Sequence, residues 1–386
     1  MKKILFVTTR YPQIKSYSGD TLRAHNIIKN LRKKNIVDVV CINEKNKDKI
    51  IDKQKNGKIY FCRKINILSK IFYSILSMVN LKPLQLGFFY SKEIKEFLLN
   101  NHKNYDSIIF HLIRSAQYLP AEFTGKKILE MTDIMSNNYD QTKKNLSILN
   151  PYYYLYLFES FLVKKYEGYC LKIFNQIVIV SKADIARDLK KTKKKIIIIG
   201  NGVEINKKKF KFSKNNFKII FIGNINYLPN KYACYDFVKK IFPRINIIDS
   251  KIEFHIIGKI SILDRVKLGF FKKVKVVGPV DNLNVHINSA ICGISNLKIA
   301  TGMQNKTLTY MSYGLPAVCS HSSSRGITIL KNYQDFISYN DEKKFIGQIL
   351  ELKKNKVLAN RLSNNSYKKI KKLSWNIALL RYKEII

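Results

Sequence analysis

The chain has no run of 18 uncharged apolar residues anywhere in its 386 positions, and a shorter run does not cross a bilayer as a helix. The best stretch, Leu146–Phe158, is too short and too rich in tyrosine. The start, Met1-Lys2-Lys3-Ile4-Leu5-Phe6, meets Thr8-Thr9-Arg10 too soon for the apolar region of a signal peptide, so a cytoplasmic location is expected. Cysteine is scarce. None of Cys41, Cys62, Cys170, Cys234, Cys292 and Cys319 forms a CxxC pair, and most sit in apolar runs such as Val39-Val40-Cys41-Ile42. Reduced core residues are expected, not zinc ligands or disulfides. The sequence contains no GxxxxGK[ST], no GxGxxG after a strand and no HExxH, which excludes a P-loop and leaves dinucleotide binding unsupported. No two aspartates are separated by one residue, so the paired-aspartate metal site is missing. Neither a metal nor a cofactor is expected.

Acidic residues are few. Asp and Glu number 27 against 70 Lys and Arg, a formal net charge of +43. One source is an anionic partner, either nucleic acid or an acidic membrane surface. The other is codon bias, because Lys, Asn, Ile, Tyr and Phe, all with A/T-rich codons, crowd the chain. Bias is favoured as the main source, with a mild affinity for anionic surfaces as its physical consequence. The lysines are spread along the chain and no recognition motif accompanies them, so nucleic acid is not expected as a partner.

Apolar residues are present in ordinary amount, 46%, enough to build cores. The length suits two domains. Short, β-branched, nearly continuous apolar runs mark strands at Ile4–Thr8, Val37–Ile42, Lys58–Cys62, Ser107–Leu112, Lys127–Met131, Gln176–Ser181 and Ile196–Ile199. A second set follows at Lys218–Ile222, Ile252–Ile257, Val274–Val277, Ile291–Ser295 and Pro316–Ser320. Such runs predict parallel strands buried on both faces. Helical patterns lie between them. Asp20 is placed to cap a helix through Leu22, Ile27, Ile28 and Leu31, and Asn230 to cap one through Ala233, Phe237, Val238 and Ile241. The alternation predicts a parallel α/β fold. The pattern restarts after the polar stretch Lys207–Asn216, with a hinge expected near Asp188–Lys195. Two Rossmann-like domains are expected, 1–195 and 196–370, with a terminal helix 371–386 packing back on the first. Ligands in such sheets bind at the carboxyl ends of the strands, and the default site is the cleft between the halves.

Three segments run strand, glycine, helix, which sets backbone N–H groups where an anion is welcome. The first is Thr8-Thr9-Arg10-Tyr11-Pro12 with Ser18-Gly19-Asp20-Thr21-Leu22-Arg23, and the second is Phe221-Ile222-Gly223-Asn224 through Asn230. Alone, each reads as an ordinary strand-to-helix loop. The third is Ala300-Thr301-Gly302-Met303-Gln304-Asn305-Lys306-Thr307-Leu308-Thr309, ended by Gly314 with Pro316 leading into a strand. Lys306 lies in the first turns, where a cation opposes the helix dipole. A bound anion offsets that cost, so a ligand contact is the better reading.

Together these segments resemble family 4 glycosyltransferases of the GT-B fold, in particular the bacterial exopolysaccharide-type branch. The resemblance extends through Pro83–Ser91, Val180-Ser181-Lys182-Ala183-Asp184, Asn201-Gly202-Val203-Glu204 and Ser374-Trp375, in order and over nearly the whole chain. It implies two facing Rossmann-like domains and a metal-independent, retaining transfer of a sugar from a nucleotide-diphosphate sugar. The acceptor implied is a glycan or a lipid-linked glycan of cell-surface polysaccharide synthesis, bound to the first domain. The donor would lie on the second, with Lys306 facing the diphosphate, Gly302 leaving room for it, Asn305 orienting the loop, and Gly223 and Asn224 beside it. Gly19 would approach the donor from the first domain. His111 falls where the family often carries a histidine near the transferred sugar.

Two departures stand out. The family pattern has two glutamates eight positions apart where this chain has Thr301 and Thr309. A hydroxyl is no carboxylate, although Thr309 can accept one ribose hydrogen bond. The arginine that often follows the strand glycine is Asn224 here, so Lys259 or Arg325 would have to compensate. These losses favour the alternative of a non-catalytic GT-B-fold binding subunit. Ile65–Leu81 and the Tyr-rich Asn150–Phe174 are apolar enough to lie on a membrane, but packing on the first sheet is the expectation for both.

Overall fold

The computed structural model describes residues 1–13, 18–43, 51–144, 146–182, 185, 195–298, 300, 303–327 and 330–386. The chain divides into two units. The first is built from the N-terminal strand, Asp20–Gly200 and the last residues, Leu379–Ile386; the second is built from Asn201–Ala378, and Ser18 and Gly19 group with it.

The first unit holds β1 (Lys3–Thr8), β2 (Ile36–Ile42), β3 (Ile51–Gln54), β4 (Gly57–Cys62), β5 (Ser107–His111), β6 (Lys126–Thr132), β7 (Gln176–Ile179) and β8 (Ile196–Ile198). They order as β3-β4-β2-β1-β5-β6-β7-β8. All neighbours are parallel except the antiparallel pair β3–β4. Ile4 to Val7 have no exposed surface, as continuous apolar runs require of a sheet covered on both faces. The helix Gly19–Leu31 buries Ala24, Ile27, Ile28 and Leu31, the three-to-four-residue spacing of a core-facing stripe.

The second unit holds β9 (Lys218–Ile222), β10 (Glu253–Ile257), β11 (Val274–Gly278), β12 (Ala290–Ser295), β13 (Ala317–Ser320) and β14 (Ile337–Tyr339), ordered β11-β10-β9-β12-β13-β14. Every neighbouring pair is parallel. Phe237, Phe242, Phe254 and Phe345 gather in its core, with the Phe237 and Phe254 rings 4.5 Å apart.

Several details depart from the sequence reading. β3 and β14 were not foreseen. Ile51-Asp52-Lys53-Gln54 has one apolar residue and survives as an edge strand through its main-chain ladder with β4; β14 is only three residues long. β8 pairs with β7, as its place among the first set of strands implies, and the compact units divide after Gly200, five residues beyond the expected boundary at 195/196. The expected hinge lies outside the described residues except for Lys195. The terminal segment is not one helix: Val203 N–H donates to Leu373 O at 2.9 Å and Val203 bridges Ser374, which holds this stretch in the second unit, and only Leu379–Ile386 joins the first. Neither Asp20 nor Asn230 precedes its helix as a cap: Asp20 lies inside its helix, where its Oδ1 accepts from Thr21 N–H at 2.9 Å, and Asn230 lies inside Leu228–Asp236, which starts after Tyr227.

The two apolar segments also part company. The helix Pro151–Ile173 packs through Leu162, Val163, Cys170 and Leu171, as expected, but exposes apolar residues along its first half. The helix Ile67–Val79 buries no residue fully. All six cysteines are buried and none of them is in a disulfide. Among the described residues no helix is long and apolar enough to cross a membrane.

Candidate functional site

In each sheet the first strand of the unit lies between two parallel neighbours whose connections run in opposite directions. That is the switch point at which open α/β sheets bind ligands.

In the second unit the switch point is β9 beside β12. The Tyr310 hydroxyl ties the pair, accepting from Ile222 N–H at 2.9 Å and donating to Ile294 O at 3.0 Å. Tyr310 belongs to the helix Asn305–Ser312, so the same contact fixes Lys306 one turn earlier. Gly314, at φ +73°, ends this segment in the left-handed region that glycine favours. The Lys306 ammonium reaches the end of β9, donates to Asn230 Oδ1 at 2.5 Å and sits 4.2 Å from the Phe221 ring centroid. Asn230 Nδ2 in turn donates to Asn224 O at 2.8 Å. A Cβ on Gly223 would lie 3.0 Å from Asn230 Nδ2, so the bare glycine lets that side chain approach. Lys306 is 8% exposed, and no carboxylate among the described residues pairs with it. Burial pushes its pKa down to about 7. An uncompensated, desolvated cation at a strand end and a helix N-terminus is the arrangement that an anionic ligand completes.

Asn305 and Thr309 each spend part of their hydrogen-bonding capacity locally. Asn305 Oδ1 accepts from Asn201 Nδ2 at 2.9 Å, and the Thr309 hydroxyl donates to Asn305 O at 3.0 Å, which leaves Thr309 only its lone pairs for a ligand. Thr301 and Gly302 lie outside the described residues. Lys259 and Arg325 are exposed.

In the first unit the switch point is β1 beside β5. His111 closes β5, is 1% exposed, and has Nδ1 3.4 Å from Thr8 Oγ1 while its buried Nε2 has no partner. Burial lowers its pKa to about 3, so the ring is neutral at physiological pH. The next residue, Leu112, has φ +68°, a strained setting of the kind that gathers at functional sites. Around this end stand Arg10, Asp20 and Arg114. Asp20 Oδ2 takes Arg10 at 3.2 Å and Arg114 at 3.4 Å; Arg114 also donates to Thr9 Oγ1 at 2.7 Å and lies 4.0 Å from the Phe89 ring centroid. Burial raises the Asp20 carboxyl, but Arg10 and Arg114 outweigh it and the pKa falls below its usual value. Gly19 opens the helix that carries Asp20.

Behind this cluster is a polar group that sequence reasoning missed. Arg23 and Glu130 are fully buried and pair through Nε–Oε1 at 2.9 Å and Nη2–Oε2 at 3.2 Å. Arg23 also donates to Ile199 O at 2.9 Å and Gly200 O at 3.1 Å, and the Tyr382 hydroxyl donates to Glu130. The partners stand 107 and 252 residues apart, so no local spacing advertises them.

Residues 216–355 match the family model described as Glycosyl transferases group 1. No curated protein matches the chain in sequence. Among solved structures, the sucrose-phosphate synthase of Thermosynechococcus elongatus superposes with a TM-score of 0.75 at 11% identity, covering 100% of this chain and 98% of that one. HepE of Anabaena, in complex with UDP and glucose, gives 0.68 at 12% identity, covering 100% and 99%. TarM of S. aureus gives 0.68 at 11%, covering 100% and 98%. With two parallel-sheet Rossmann-like units and full-length likeness to these structures, the chain has the GT-B α/β fold.

Proposed function

We propose that the protein is a retaining glycosyltransferase of family 4, in the exopolysaccharide-type branch. It moves a sugar from a nucleotide-diphosphate sugar to a glycan or lipid-linked acceptor. The observation that carries this reading is Lys306, a buried and unpaired cation held by Asn230 at the switch point of the unit that matches the group 1 family model. A diphosphate would supply the missing counter-charge and pull the Lys306 pKa back up. HepE, solved with UDP and glucose, makes UDP-glucose the first donor to try. Gly223, Asn224 and Asn305 frame the same place, with Gly302 and Thr309 in the roles the resemblance gives them. A thermal-shift panel of nucleotides and nucleotide sugars tests the reading: at least one nucleoside diphosphate should stabilise the protein, and a panel without any shift contradicts it.

No divalent ion is needed on this account. The family resemblance implies this, and no two aspartates in the sequence are separated by one residue, so transfer should continue in EDTA. Loss of activity in EDTA with recovery on adding magnesium or manganese would show the reverse.

In the first unit we assign His111 to the transferred sugar, with its unpartnered Nε2 as the polar atom available. His111→Ala should lower turnover by about 10–100-fold and leave nucleotide affinity within about twofold. Because the ring is neutral above a pKa of about 3, the pH–rate profile should show no histidine titration near its ordinary value. Unchanged turnover in His111→Ala would remove this role.

A non-catalytic binding subunit is the second reading. The threonine at position 309, in place of a carboxylate, favours it. Nucleotide binding without turnover on any donor would decide for it.

A further inference from the structure

The helix Ile67–Val79 is well formed yet buries no residue fully. Asn66 Oδ1 caps its start, accepting from Ser69 N–H at 2.7 Å, and Asn80 N–H closes its end on Leu76 O at 3.1 Å. The Tyr73 ring lies 4.6 Å from that of Tyr90, and the Lys70 ammonium lies 4.7 Å from the Phe88 ring centroid. The segment is thus anchored along one side. Its other residues face outward: Leu68 is 75% exposed, Phe72 62% and Val79 71%. A contiguous apolar face of this kind marks an interaction surface.

We propose that this helix docks flat on an anionic membrane surface. Charge argues for it first. From Lys64 to Lys82 the chain carries Lys64, Lys70 and Lys82 and no acidic residue, while Arg63 and Lys92 on either side pair with Glu93 and Glu96, so the helix itself is flanked by lysines alone, as anionic headgroups require. The same charge argues against a second copy of the chain, because two such faces would bring like charges together. Length argues for lying in the plane. Thirteen residues span about 20 Å at ~1.5 Å per residue, short of the ~30 Å of hydrocarbon. The neighbouring helix extends the surface. Glu159 accepts from Leu84 N–H at 2.8 Å and Gln85 N–H at 3.3 Å, which ties the turn after Ile67–Val79 to Pro151–Ile173. That second helix exposes Tyr152, Tyr154 and Phe161 in its first half, and amphipathic aromatic rings suit the headgroup layer.

The test is co-sedimentation with vesicles of phosphatidylcholine alone or mixed with phosphatidylglycerol. It compares the full chain with Leu68→Gln/Phe72→Gln/Val79→Gln. These side chains are exposed, so thermal melting should be unchanged and binding isolated from folding. The parent should partition at least tenfold more strongly onto anionic vesicles than onto neutral ones, and the triple variant should lose at least tenfold on anionic vesicles. Parent protein that stays in solution, or a variant that binds as the parent does, overturns the proposal. So does a parent dimer in sedimentation velocity that the variant abolishes, which would give the face to a second copy. Vesicle binding needs no nucleotide, so this outcome and that of the sugar-transfer reading are independent.

Discussion

Glu130→Ala should destabilise the first unit by about 3–5 kcal/mol, the usual cost of stripping one partner from a buried ion pair. The carboxylate accepts from Arg23 twice, from the Thr132 hydroxyl at 3.2 Å and from Tyr382. Removing it leaves the Arg23 guanidinium charged and without exposed surface, held by the carbonyls of Ile199 and Gly200. It also leaves the Tyr382 hydroxyl without its acceptor. Both chain segments that enter or leave the first unit near these residues, Ile199–Gly200 and Leu379–Ile386, therefore lose an anchor. The measurement is urea denaturation of parent and variant, with Arg23→Met/Glu130→Leu as the comparison. Removing both charges together should cost far less than removing one, because no charge is then stranded. A Glu130→Ala loss below about 1 kcal/mol, the range of an exposed pair, would show that the network is not the anchor described.

Lys306→Ala should lower kcat/KM by about 10³-fold, in the range seen when one preorganised group facing transition-state charge is removed. On the proposed reading charge grows on the departing diphosphate as the sugar bond breaks, and Lys306 would be the buried cation facing it. Stability should move the other way. A lysine whose pKa is about 7 folded and near its ordinary value unfolded binds fewer protons in the folded state between those limits. Its contribution is therefore least favourable below pH 7 and improves as pH rises through that window. Lys306→Met removes the cost and should stabilise the protein by about 2 kcal/mol at acid pH, after the lost Asn230 hydrogen bond is set against the gain. Nucleotide affinity of the parent should fall as pH rises above 7, because the ammonium must be charged to hold the ligand. A Lys306 variant with full activity, or one destabilised at every pH, would contradict this account.

Much of the fold was readable because its signals are local. Runs such as Val37–Ile42 and Lys218–Ile222 are apolar enough to demand burial on both faces, and their alternation with helical stripes leaves few topologies. β3 escaped because Asp52, Lys53 and Gln54 carry no apolar pattern and pairing along an edge needs none. The expected boundary at 195/196 falls five residues short of the division after Gly200 because β8 looks the same whether it closes one sheet or opens the next; only its pairing with β7 decides. Lys306 was legible as a cation in the wrong place on a helix. Asn230 was legible as a polar residue near a helix start but was read as a cap, since a side chain reaching across 76 residues to Lys306 leaves no trace in local spacing. Arg114, which shares Asp20 with Arg10, was hidden for the same reason. The exposed helix Ile67–Val79 was misjudged because apolar content alone does not say what covers it.

Isothermal titration of the parent and of Lys306→Ala with a panel of nucleoside diphosphates bears most directly on the central claim. The account predicts that at least one diphosphate binds the parent and that Lys306→Ala weakens it by about 1.5–3 kcal/mol, one to two decades in Kd. A parent that binds no nucleoside diphosphate, or a variant that binds one as tightly as the parent, would contradict it.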